Sequence, residues 1–491
     1  MTSLPQVRLD PGSPEPMYRQ LYDAVRKAVL DRTLAPGTRL PATRELARDL
    51  GVARNTVMLA FDQLIAEGYV EGRVGAGTYV TDALPDELLS ARTPSRSPRR
   101  PAAGRALSER GRMLSRTRVT LNPPDQPERR AFRMGMPDFA AFPFREWARI
   151  TSRLWRDPPH ELLFYGDPAG YAPLRAQIAA YVGAARAVQC DVSQVMVVAG
   201  SQHALELAAR LLVDPGDAVW IEDPGYLGAR AALQSSGARL VPVPVDDEGI
   251  DVEAGMRRCA DARVAYVTPS HQFPLSVTMS LGRRLALLDW AARANAWILE
   301  DDFDSEYRYA GRPLASLQGL DGYARVIYIG TFSKVMFPSL RIGYMVVPPD
   351  LVDAFVAARA IVDRHPPLVE QAALAQFMAE GHLARHIRRM RTLYEERQQQ
   401  LLEAGRRELR GLIDLQPADT GMHVVGWLPQ GADDAAVSRA ASAGGVDAPA
   451  LSQYCLEAKL PPALTLGYSG CDERAIRDGA ATLARVLAGR R

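Results

Sequence analysis

Three groups of residues in the second half of the chain are of types that bind or activate a small ligand. Gly200 and Ser201 lie between an apolar run and a helical pattern, so free backbone amides and the positive end of a helix dipole meet there, which favours phosphate. Four acidic residues occur within Glu300–Asp304, and a buried strand end tolerates acids only beside a cation or a metal. Lys334 follows another apolar run, where desolvation would lower the pKa of its amine towards that of a nucleophile.

These groups stand at the ends of short apolar runs that alternate with helical periodicity. Such runs are typical of strands buried on both faces, and the helices between them imply right-handed crossovers in a mostly parallel sheet. The runs are Val195–Ala199, Ala218–Ile221, Val264–Val267, Trp297–Glu300 and Val326–Ile329. Because ligands of open α/β sheets bind at the carboxyl ends of strands, the three groups should meet at one site. Amides for a phosphate, a carboxylate for a pyridinium nitrogen and an amine for an aldehyde are what pyridoxal 5′-phosphate (PLP) needs.

The composition argues against several other classes of protein. Apolar residues make up 47% and charged residues 24% of the 491 positions, as in ordinary soluble domains. The chain has no apolar signal core at its start and no apolar run of the ~18 residues that suggest a membrane span. Four widely separated cysteines without metal-ligand spacing predict reduced thiols, a cytoplasmic protein and no metal site. The net charge is only +2, so a surface for nucleic acid must be local.

Residues 1–81 have the pattern of a small DNA-binding domain. A first helix carries an apolar stripe from Tyr18 to Leu30, Thr43 begins a second helix, and a turn at Gly51 leads to a third. The inward face predicted for the third helix comprises Val57, Phe61, Leu64 and Ile65. Burial of that face leaves three hydrogen-bonding side chains on the exposed first turn, where major-groove reading requires them: Arg54, Asn55 and Thr56.

Two further segments complete the organisation. Residues 69–80 alternate around glycines and predict a two-stranded wing that carries Arg73. Residues 82–130 contain eleven arginines against six acidic residues and almost no aromatics, so they cannot bury enough apolar area to fold and are interpreted as a flexible linker. The predicted sheet then occupies residues 131–491.

The N-terminal zone resembles the GntR-type winged helix over about 65 positions, most clearly at Pro16–Leu21, Leu34–Ala47 and Arg54–Val57. The resemblance implies contacts with double-stranded DNA from Arg44, Arg54, Asn55, Thr56, Arg73 and Gly75. Ala53 departs from the pattern, because such proteins commonly have serine there, and a capping hydroxyl worth ~1 kcal/mol is lost.

The C-terminal zone resembles the fold-type I aminotransferases at Glu222–Tyr226, Thr268–Pro274, Glu300–Tyr309 and Gly330–Tyr344. With its GntR-like head, the chain resembles the MocR family of transcription regulators, which includes GabR and PdxR. The resemblance implies an α/β fold: an N-terminal winged helix-turn-helix and a PLP-dependent transferase domain with a mostly parallel central sheet and a smaller C-terminal α+β subdomain. It also implies a homodimer that binds an operator and uses the aminotransferase-like domain as a sensor rather than as an enzyme.

The resemblance gives individual residues their roles. Lys334 carries PLP as a Schiff base, and Asp301 pairs with the pyridinium nitrogen. The residues that gather the phosphate are Gly200, Ser201, Gln202, Ser333 and Arg341. Four others surround the cofactor: Tyr226 stacks on the ring, His271 and Gln272 line its other edge, and Tyr165 reaches the phosphate of the partner subunit.

Departures from the family pattern bear on the ligand. Phe303 stands where many relatives have tyrosine, and Ser276 replaces a common glycine. Thr465 occupies the position of the C-terminal arginine that binds an amino acid's carboxylate. The second arginine of the GABA-sensing relatives would be Gly228 here, although Arg230 could substitute for it. Loss of this clamp favours PLP itself as the effector, as in the regulators of vitamin B6 synthesis.

Three other functions stay open at this point. Lys334 and Asp301 permit a working PLP-dependent aminotransferase with a DNA-binding appendage, although the lost clamp argues against turnover. A regulator that senses an amino acid through PLP is the second, if Arg230 binds the carboxylate. A DNA-binding scaffold whose aminotransferase fold holds no cofactor is the third.

Overall fold

The computed structural model describes residues 7–73, 75–82, 107–117, 130–311 and 314–489. It divides into two compact units, Met1–Ala106 and Leu107–Arg491. Among the described residues we find no helix with the length and hydropathy that crossing a membrane would need. Most of the linker predicted at 82–130 lies outside the described residues, so its boundaries stay a prediction, but residues 109–116 within it form a helix.

The first unit consists of helices packed against a short hairpin. Helix α1 spans Met17–Leu30, α2 Thr43–Asp49 and α3 Arg54–Ala66, while β1 (Val70–Arg73) pairs antiparallel with β2 (Gly77–Val80). The core between the helices includes Leu21, Val25 and Val57, all fully buried. This is the winged helix that the sequence predicts.

The inward face predicted for α3 is correct for three of its four residues. Val57, Phe61 and Leu64 are buried, whereas Ile65 is 42% exposed. Eight residues after Val57 a helix has turned about 80° beyond two full turns, so Leu64 takes the inward position and Ile65 points aside. At the C-terminal end of α1, Leu30 is also more than one-third exposed, so the first apolar stripe ends at Val29.

The second unit is built on an eight-stranded sheet with the order β3-β10-β9-β8-β7-β4-β5-β6. The strands are β3 Val195–Val198, β4 Ala218–Asp223, β5 Arg239–Asp246, β6 Gly249–Ile250, β7 Val264–Val267, β8 Trp297–Asp302, β9 Val326–Thr331 and β10 Gly343–Val346. The pairs β5–β4–β7–β8–β9 are parallel, while β10 is antiparallel to β3 and β9, and β6 is antiparallel to β5. The five predicted apolar runs are all strands of this sheet, which confirms the α/β class.

Helices cover the sheet and lead to a smaller C-terminal subdomain. They are α4 Glu109–Arg116, α5 Phe144–Arg156, α6 Ala172–Arg186, α7 Ser201–Leu212, α8 Leu227–Ser235, α9 Val252–Cys259, α10 Leu281–Ala294, α11 Leu317–Leu320, α12 Val352–Asp363, α13 Leu368–Ala379, α14 His382–Glu408, α15 Asp434–Ala443 and α16 Glu473–Ala488. Short 3-10 turns occur at His160–Leu162, Val192–Gln194, Pro338–Leu340, Pro349–Leu351 and Leu451–Tyr454. The subdomain contains an antiparallel sheet, β11 (Asp414–Leu415), β12 (His423–Trp427) and β13 (Ala463–Gly467), in the order β11-β12-β13.

The sheet order brings distant segments to one place. Strands β4, β7, β8 and β9 are neighbours and parallel, so their carboxyl ends share one edge, and the segments after them carry Tyr226, Thr268, Asp304 and Lys334. Every residue of these four strands is buried, so only what lies at and beyond their ends can meet a ligand.

Candidate functional site

A cavity of about 300 Å³ lies at this edge of the sheet. Its walls come from the main sheet, from the segment around Gly135 and from the C-terminal subdomain. Its polar lining is formed by Ser201, Gln202, Tyr226, Tyr266, Thr268, Asp301, Asp304, Thr331, Ser333, Lys334, Arg341, His423 and Tyr454. All three groups that the sequence singled out therefore meet in one enclosed space.

Lys334 extends into this cavity, where its Nζ donates a hydrogen bond of 3.0 Å to the Gly135 carbonyl oxygen. Gly135 has a φ of +64°, and a Cβ there would stand 2.5 Å from the Lys334 amine, so the close approach requires glycine. Burial lowers the pKa of Lys334, against the opposing charges of Asp304 and Asp301. The chain has two other lysines, Lys27 and Lys459, and both are exposed.

Asp301 has one oxygen bound and one free. Its Oδ2 accepts a 2.9 Å hydrogen bond from the Tyr266 hydroxyl, while its Oδ1 is buried without a partner. Burial raises the pKa of Asp301 to about 7, and the neighbouring carboxyls of Asp302 and Asp304 add to that rise. An unpartnered buried acceptor on a carboxyl is costly, and a protonated ring nitrogen is a group that would satisfy it.

The opposite end of the cavity is suited to an anion. Gly200, with a φ of +91°, is the N-cap of α7 and carries no side chain to bind that helix's first amides. The Arg341 guanidinium donates a 2.6 Å hydrogen bond to the Ala199 carbonyl, and a Cβ on Gly200 would stand 3.2 Å from it. Ser201 and Ser333 line the cavity beside them. Amides at a helix N-terminus, hydroxyls and a guanidinium are the donors that a phosphate uses.

Gln202 and Tyr226 also line the cavity. Gln202 Nε2 donates to the Gly228 carbonyl at 3.0 Å, and its Oε1 is buried without a partner. The Tyr226 ring packs edge-on against Phe273, with centroids 5.8 Å apart. A Cβ on Gly228 would come within 2.5 Å of both the Tyr226 ring and Gln202 Oε1, so a larger residue at 228 would require these two side chains to shift.

The structure does not place His271 and Gln272 in the cavity lining, although the family resemblance implied that they line the ring's edge. Gln272 Nε2 donates to the Pro224 carbonyl (2.9 Å) and to Glu222 Oε2 (3.2 Å), so the side chain ties two loops together. His271 Nδ1 lies 2.8 Å from Asp304 Oδ1, and the ring sits behind that carboxylate. Both side chains are almost fully buried and contact other protein groups rather than the cavity.

Tyr165 also lies outside this cavity. It is 79% exposed, with the Arg364 guanidinium 4.8 Å from its ring centroid and His365 on its other side. An exposed tyrosine in this position is compatible with the prediction that it reaches a partner subunit, which stays a prediction.

Neither position expected to carry an arginine for an amino acid's carboxylate, 465 or 228, has one, and Arg230 does not take its place. Thr465 is fully buried and its hydroxyl donates to the Pro449 carbonyl at 3.2 Å. Arg230 is held elsewhere: its guanidinium donates to the Tyr454 carbonyl and lies 3.9 Å from Asp223 Oδ1. The described lining of the cavity contains Arg341 but neither Arg230 nor an arginine at 228.

Asp223 supports the cavity wall, and the sequence did not indicate this role. It ends β4, and its carboxylate accepts hydrogen bonds from the backbone amides of Leu456, Glu457 and Ala458 at 2.6 to 2.8 Å. With Arg230 it fixes the loop that carries Tyr454 into the cavity wall. The three amides lie 233 to 235 residues from Asp223, so no local pattern could have indicated the contact.

In the winged helix, most of the residues expected to contact DNA are exposed. Arg44, Arg54 and Asn55 are exposed at the starts of α2 and α3, and Thr56 is half-buried. Ala53 is the N-cap of α3 and makes no side-chain capping bond, as its departure from serine implies.

The wing presents its residues differently. Arg73 is exposed, but it forms a 2.7 Å ion pair with Glu71 and lies over the Tyr79 ring at 4.7 Å. Gly75 lies in the turn with a φ of +74° and open space around it. Any contact of Arg73 with a phosphate would therefore compete with Glu71.

Both units match families of known proteins. Residues 134–460 match the family model described as aminotransferase class I and II, and residues 17–80 match bacterial regulatory proteins of the gntR family. Over 473 residues the chain is 44% identical to a probable rhizopine catabolism regulatory protein, MocR, of Rhizobium meliloti, which covers 96% of this chain and 94% of the relative. It is 31% identical to the pyridoxine biosynthesis transcriptional regulator PdxR of Corynebacterium glutamicum, with 96% of both chains covered.

Solved structures show the same fold in the second unit. The α-aminoadipate aminotransferase LysN of Thermus thermophilus matches with a TM-score of 0.68 at 30% identity, covering 78% of this chain and 95% of that one. That crystal contained N-(5′-phosphopyridoxyl)-L-leucine. The resemblances found from the sequence are confirmed, and the chain belongs to the MocR-type transcription regulators, in which a GntR winged helix precedes an aminotransferase class I and II domain.

Proposed function

We propose that this chain is a DNA-binding transcription regulator that holds PLP in the cavity on Lys334. The observation that carries the proposal is the meeting of an enclosed amine with a buried carboxylate oxygen that lacks a partner, Asp301 Oδ1. When bound, PLP supplies an aldehyde that reacts reversibly with an amine. The donor set fits this group at both ends, because the Gly200–Ser201 turn and Arg341 face the end of the cavity opposite Asp301.

Each residue then has a defined task. Lys334 holds the cofactor, and burial lowers the pKa of its amine, which favours the unprotonated, reactive form. Asp301 receives the ring nitrogen, and Tyr266 fixes the orientation of that carboxylate. The phosphate is bound by the α7 amides together with the side chains of Ser201, Gln202, Ser333 and Arg341. Tyr226 and Phe273 form the apolar wall that orients the ring and keeps water away from it.

We propose further that PLP itself is the signal and that the controlled genes belong to vitamin B6 metabolism. Support comes from the two arginine positions of the carboxylate clamp. Thr465 replaces one and Gly228 the other, where a side chain would also displace Tyr226 and Gln202. Arg230 is bound to Tyr454 and Asp223, so an amino acid's carboxylate gains no cation from it. The similarity to PdxR, a pyridoxine biosynthesis regulator, supports the same assignment.

The winged helix supplies the DNA contact. We propose that Arg54, Asn55 and Thr56 enter the major groove at the start of α3, that Arg44 and Arg73 bind phosphates and that the Gly75 turn lets the wing approach the backbone. A homodimer would place two such heads on two half-sites, and a linker would let them reach. PLP can change this binding only by favouring one of two arrangements of the dimer.

A titration of the DNA upstream of the chain's own gene, with and without PLP, tests the proposal. We expect the full-length protein to bind the fragment and PLP to change its affinity by about fivefold or more, the usual range of allosteric coupling. Lys334→Ala should bind DNA equally well but lose the response to PLP. An affinity that PLP leaves unchanged would contradict PLP as the signal, and an absence of DNA binding would contradict the function as a whole.

A working aminotransferase is the second candidate, and the 30% identity to LysN favours it. A working aminotransferase must turn over. Given an amino donor and a ketoacid acceptor, the PLP-loaded protein should then regain the absorbance of the aldehyde form over many cycles. We expect at most a single conversion, because the cavity offers a donor's carboxylate no arginine from the two clamp positions.

A further inference from the structure

The cavity contains a second buried carboxylate to which neither the fold nor the sequence pattern gives a task. Asp304 lines the cavity together with Lys334 and Asp301, and it is 1% exposed. Its two oxygens lie 2.8 Å and 3.0 Å from His271 Nδ1. A carboxylate buried to this extent requires a nearby cation or strong donors to offset its desolvation.

The surroundings of His271 fix the orientation of its ring. The ring is 2% exposed, with the Phe303 ring centroid at 5.6 Å and that of His423 at 4.9 Å. A Cβ on Gly421 would stand 2.0 Å from His271 Cε1, so glycine is required for the ring to sit here. Because His271 Nε2 is buried without a partner, the hydrogen-bonding role of the ring is to donate from Nδ1 to Asp304.

Lys334 shares the described lining of this cavity with Asp304 and is one of its two cations, the other being Arg341. Of the two carboxylates that oppose the effect of burial on the pKa of Lys334, Asp304 has the larger influence and Asp301 the smaller. Phe303, the neighbour of Asp304, adds only an apolar ring to the lining, so the backbone segment after β8 contributes one charge there. The Lys334 amine itself is hydrogen bonded to the Gly135 carbonyl, so Asp304 acts on it through space.

We propose that Asp304 is the charge partner of the Lys334 amine in this cavity and that His271 is a positioning residue that holds Asp304 in place. The pairing leaves Asp301 free to receive a ring nitrogen, so each of the two carboxylates serves a different nitrogen. The inference rests on the proposed function only in treating Lys334 as the reactive amine, and its test needs no cofactor.

The titratable groups around Lys334 come from several elements. Asp301 and Asp304 belong to β8 and the segment after it, Tyr226 follows β4 and His423 begins β12. Tyr266 of β7, Arg341 and Tyr454 also line the cavity, and the Tyr307 hydroxyl donates to the Lys334 carbonyl oxygen. Burial lowers the pKa of His423 to about 3 and raises that of Tyr226 to about 12, so both are neutral from pH 6 to 10 and do not compete with the carboxylates.

Competitive acylation with acetic anhydride measures the protonation of Lys334 directly. The full-length protein without PLP is labelled at a series of pH values, and peptide mass spectrometry reports the labelled fraction of each lysine. Lys27 and Lys459 serve as internal references because they are exposed. We expect the midpoint of Lys334 labelling to lie below theirs, and Asp304→Asn to lower it further, by about one pH unit, because the substitution removes a nearby opposite charge.

Variants at position 271 separate positioning from mere folding. His271→Ala should lower the Lys334 midpoint in the same direction as Asp304→Asn, whereas His271→Asn, whose amide can donate to Asp304, should restore most of it. Combined with Asp304→Asn, His271→Ala should have no further effect. These variants also keep the inference testable if Asp304→Asn fails to fold.

The matched control is Asp419→Asn, the same substitution at an exposed aspartate. The Asp419 side chain is exposed, and its backbone carbonyl accepts a hydrogen bond from the Tyr309 amide. It should leave the Lys334 midpoint unchanged. A midpoint that Asp304→Asn does not lower, or that Asp419→Asn lowers equally, would overturn the inference. If instead the wild-type midpoint behaves as expected but the protein captures no PLP, the proposed function fails and the pairing stands.

Discussion

The two units of the chain present their candidate binding residues in opposite ways. In the winged helix, Arg54 and Asn55 are exposed on a helix's first turn, and among the described residues we find no hydrogen bond or ion pair that fixes their side chains. In the aminotransferase-like unit, Asp301 is 4% exposed and its orientation is set by Tyr266 from another strand. DNA-contacting residues can therefore change singly with little effect on the fold, whereas residues of the cavity are tied to packing and to each other's charge.

The largest effect that this contrast predicts is at Lys334. Lys334→Ala should abolish the attachment of PLP, measured as visible absorbance that borohydride makes permanent, because no other amine lies in the described lining of the cavity. Lys459→Ala, at an exposed lysine, should attach PLP as the wild type does. If Lys334→Ala also weakened DNA binding in the absence of PLP, the two units would not be as separable as their architecture suggests.

A tenfold to hundredfold effect is expected in the winged helix. Arg54→Ala should weaken operator binding by about 1–3 kcal/mol, the usual contribution of an arginine that reads a base edge. Fluorescence anisotropy at fixed salt measures it, with Arg19→Ala as control, since that arginine is exposed on α1 and lies 3.6 Å from Asp23. The absorbance of bound PLP should be identical in all three proteins, and a change there would show that the head influences the cavity.

A smaller effect follows from the pKa of Asp301, which burial raises to about 7 in the absence of a ligand. Because the folded pKa exceeds the ordinary value of 3.8, the stability from this carboxyl is complete below about pH 4 and is lost as the pH rises towards 7. Asp301→Asn, which is neutral throughout, should therefore have a Tm several degrees above wild type at pH 8, with the gap closing towards pH 4.

Differential scanning calorimetry of the cofactor-free proteins at both ends of that range measures the gap. The same variant should retain PLP less well than the wild type. A gap independent of pH would mean that Asp301 is already ionised in the folded protein.

The smallest predicted effect is at the N-cap of α3. Ala53→Ser should stabilise that helix by about 1 kcal/mol, because the new hydroxyl can accept from a first-turn amide. Hydrogen exchange of the α3 amides should slow by about fivefold, while exchange in the second unit should not change. Ala53→Val is the control, since valine offers no acceptor and is as poor an N-cap residue as alanine. Unaltered exchange in Ala53→Ser would show that another group already satisfies that helix end.

The same contrast explains what could be predicted from the sequence. The strands around the cavity were predictable because parallel strands buried on both faces are continuous apolar runs, as β4 and β8 show. Strand β5 alternates exposure and β10 begins with glycine and tyrosine, so neither is a continuous aliphatic run. Ile65 was misplaced because the position next to it, Leu64, took the core.

Within the cavity, residues that follow a strand or open a helix could be found from their position along the chain. Lys334, Asp301 and Gly200 are of this kind. The residues that orient them could not, because Tyr266, Gly135 and the loop that follows Tyr454 come from segments distant in sequence. His271 shows the limit most clearly. Its place in a motif suggested contact with a ligand, but its hydrogen bond to Asp304 and its packing against Gly421 place its ring behind the residues that line the cavity.

Because the chain has few lysines, an aldehyde can react with it selectively. Fifty-nine basic residues include three lysines, so the positive surface is almost entirely guanidinium, which does not condense with aldehydes under mild conditions. The ε-amines of Lys27 and Lys459 are exposed, whereas burial lowers the pKa of the Lys334 amine and so favours its nucleophilic form. We therefore expect little reaction of excess PLP with other lysines. The visible absorbance of the loaded protein should correspond to one PLP per chain.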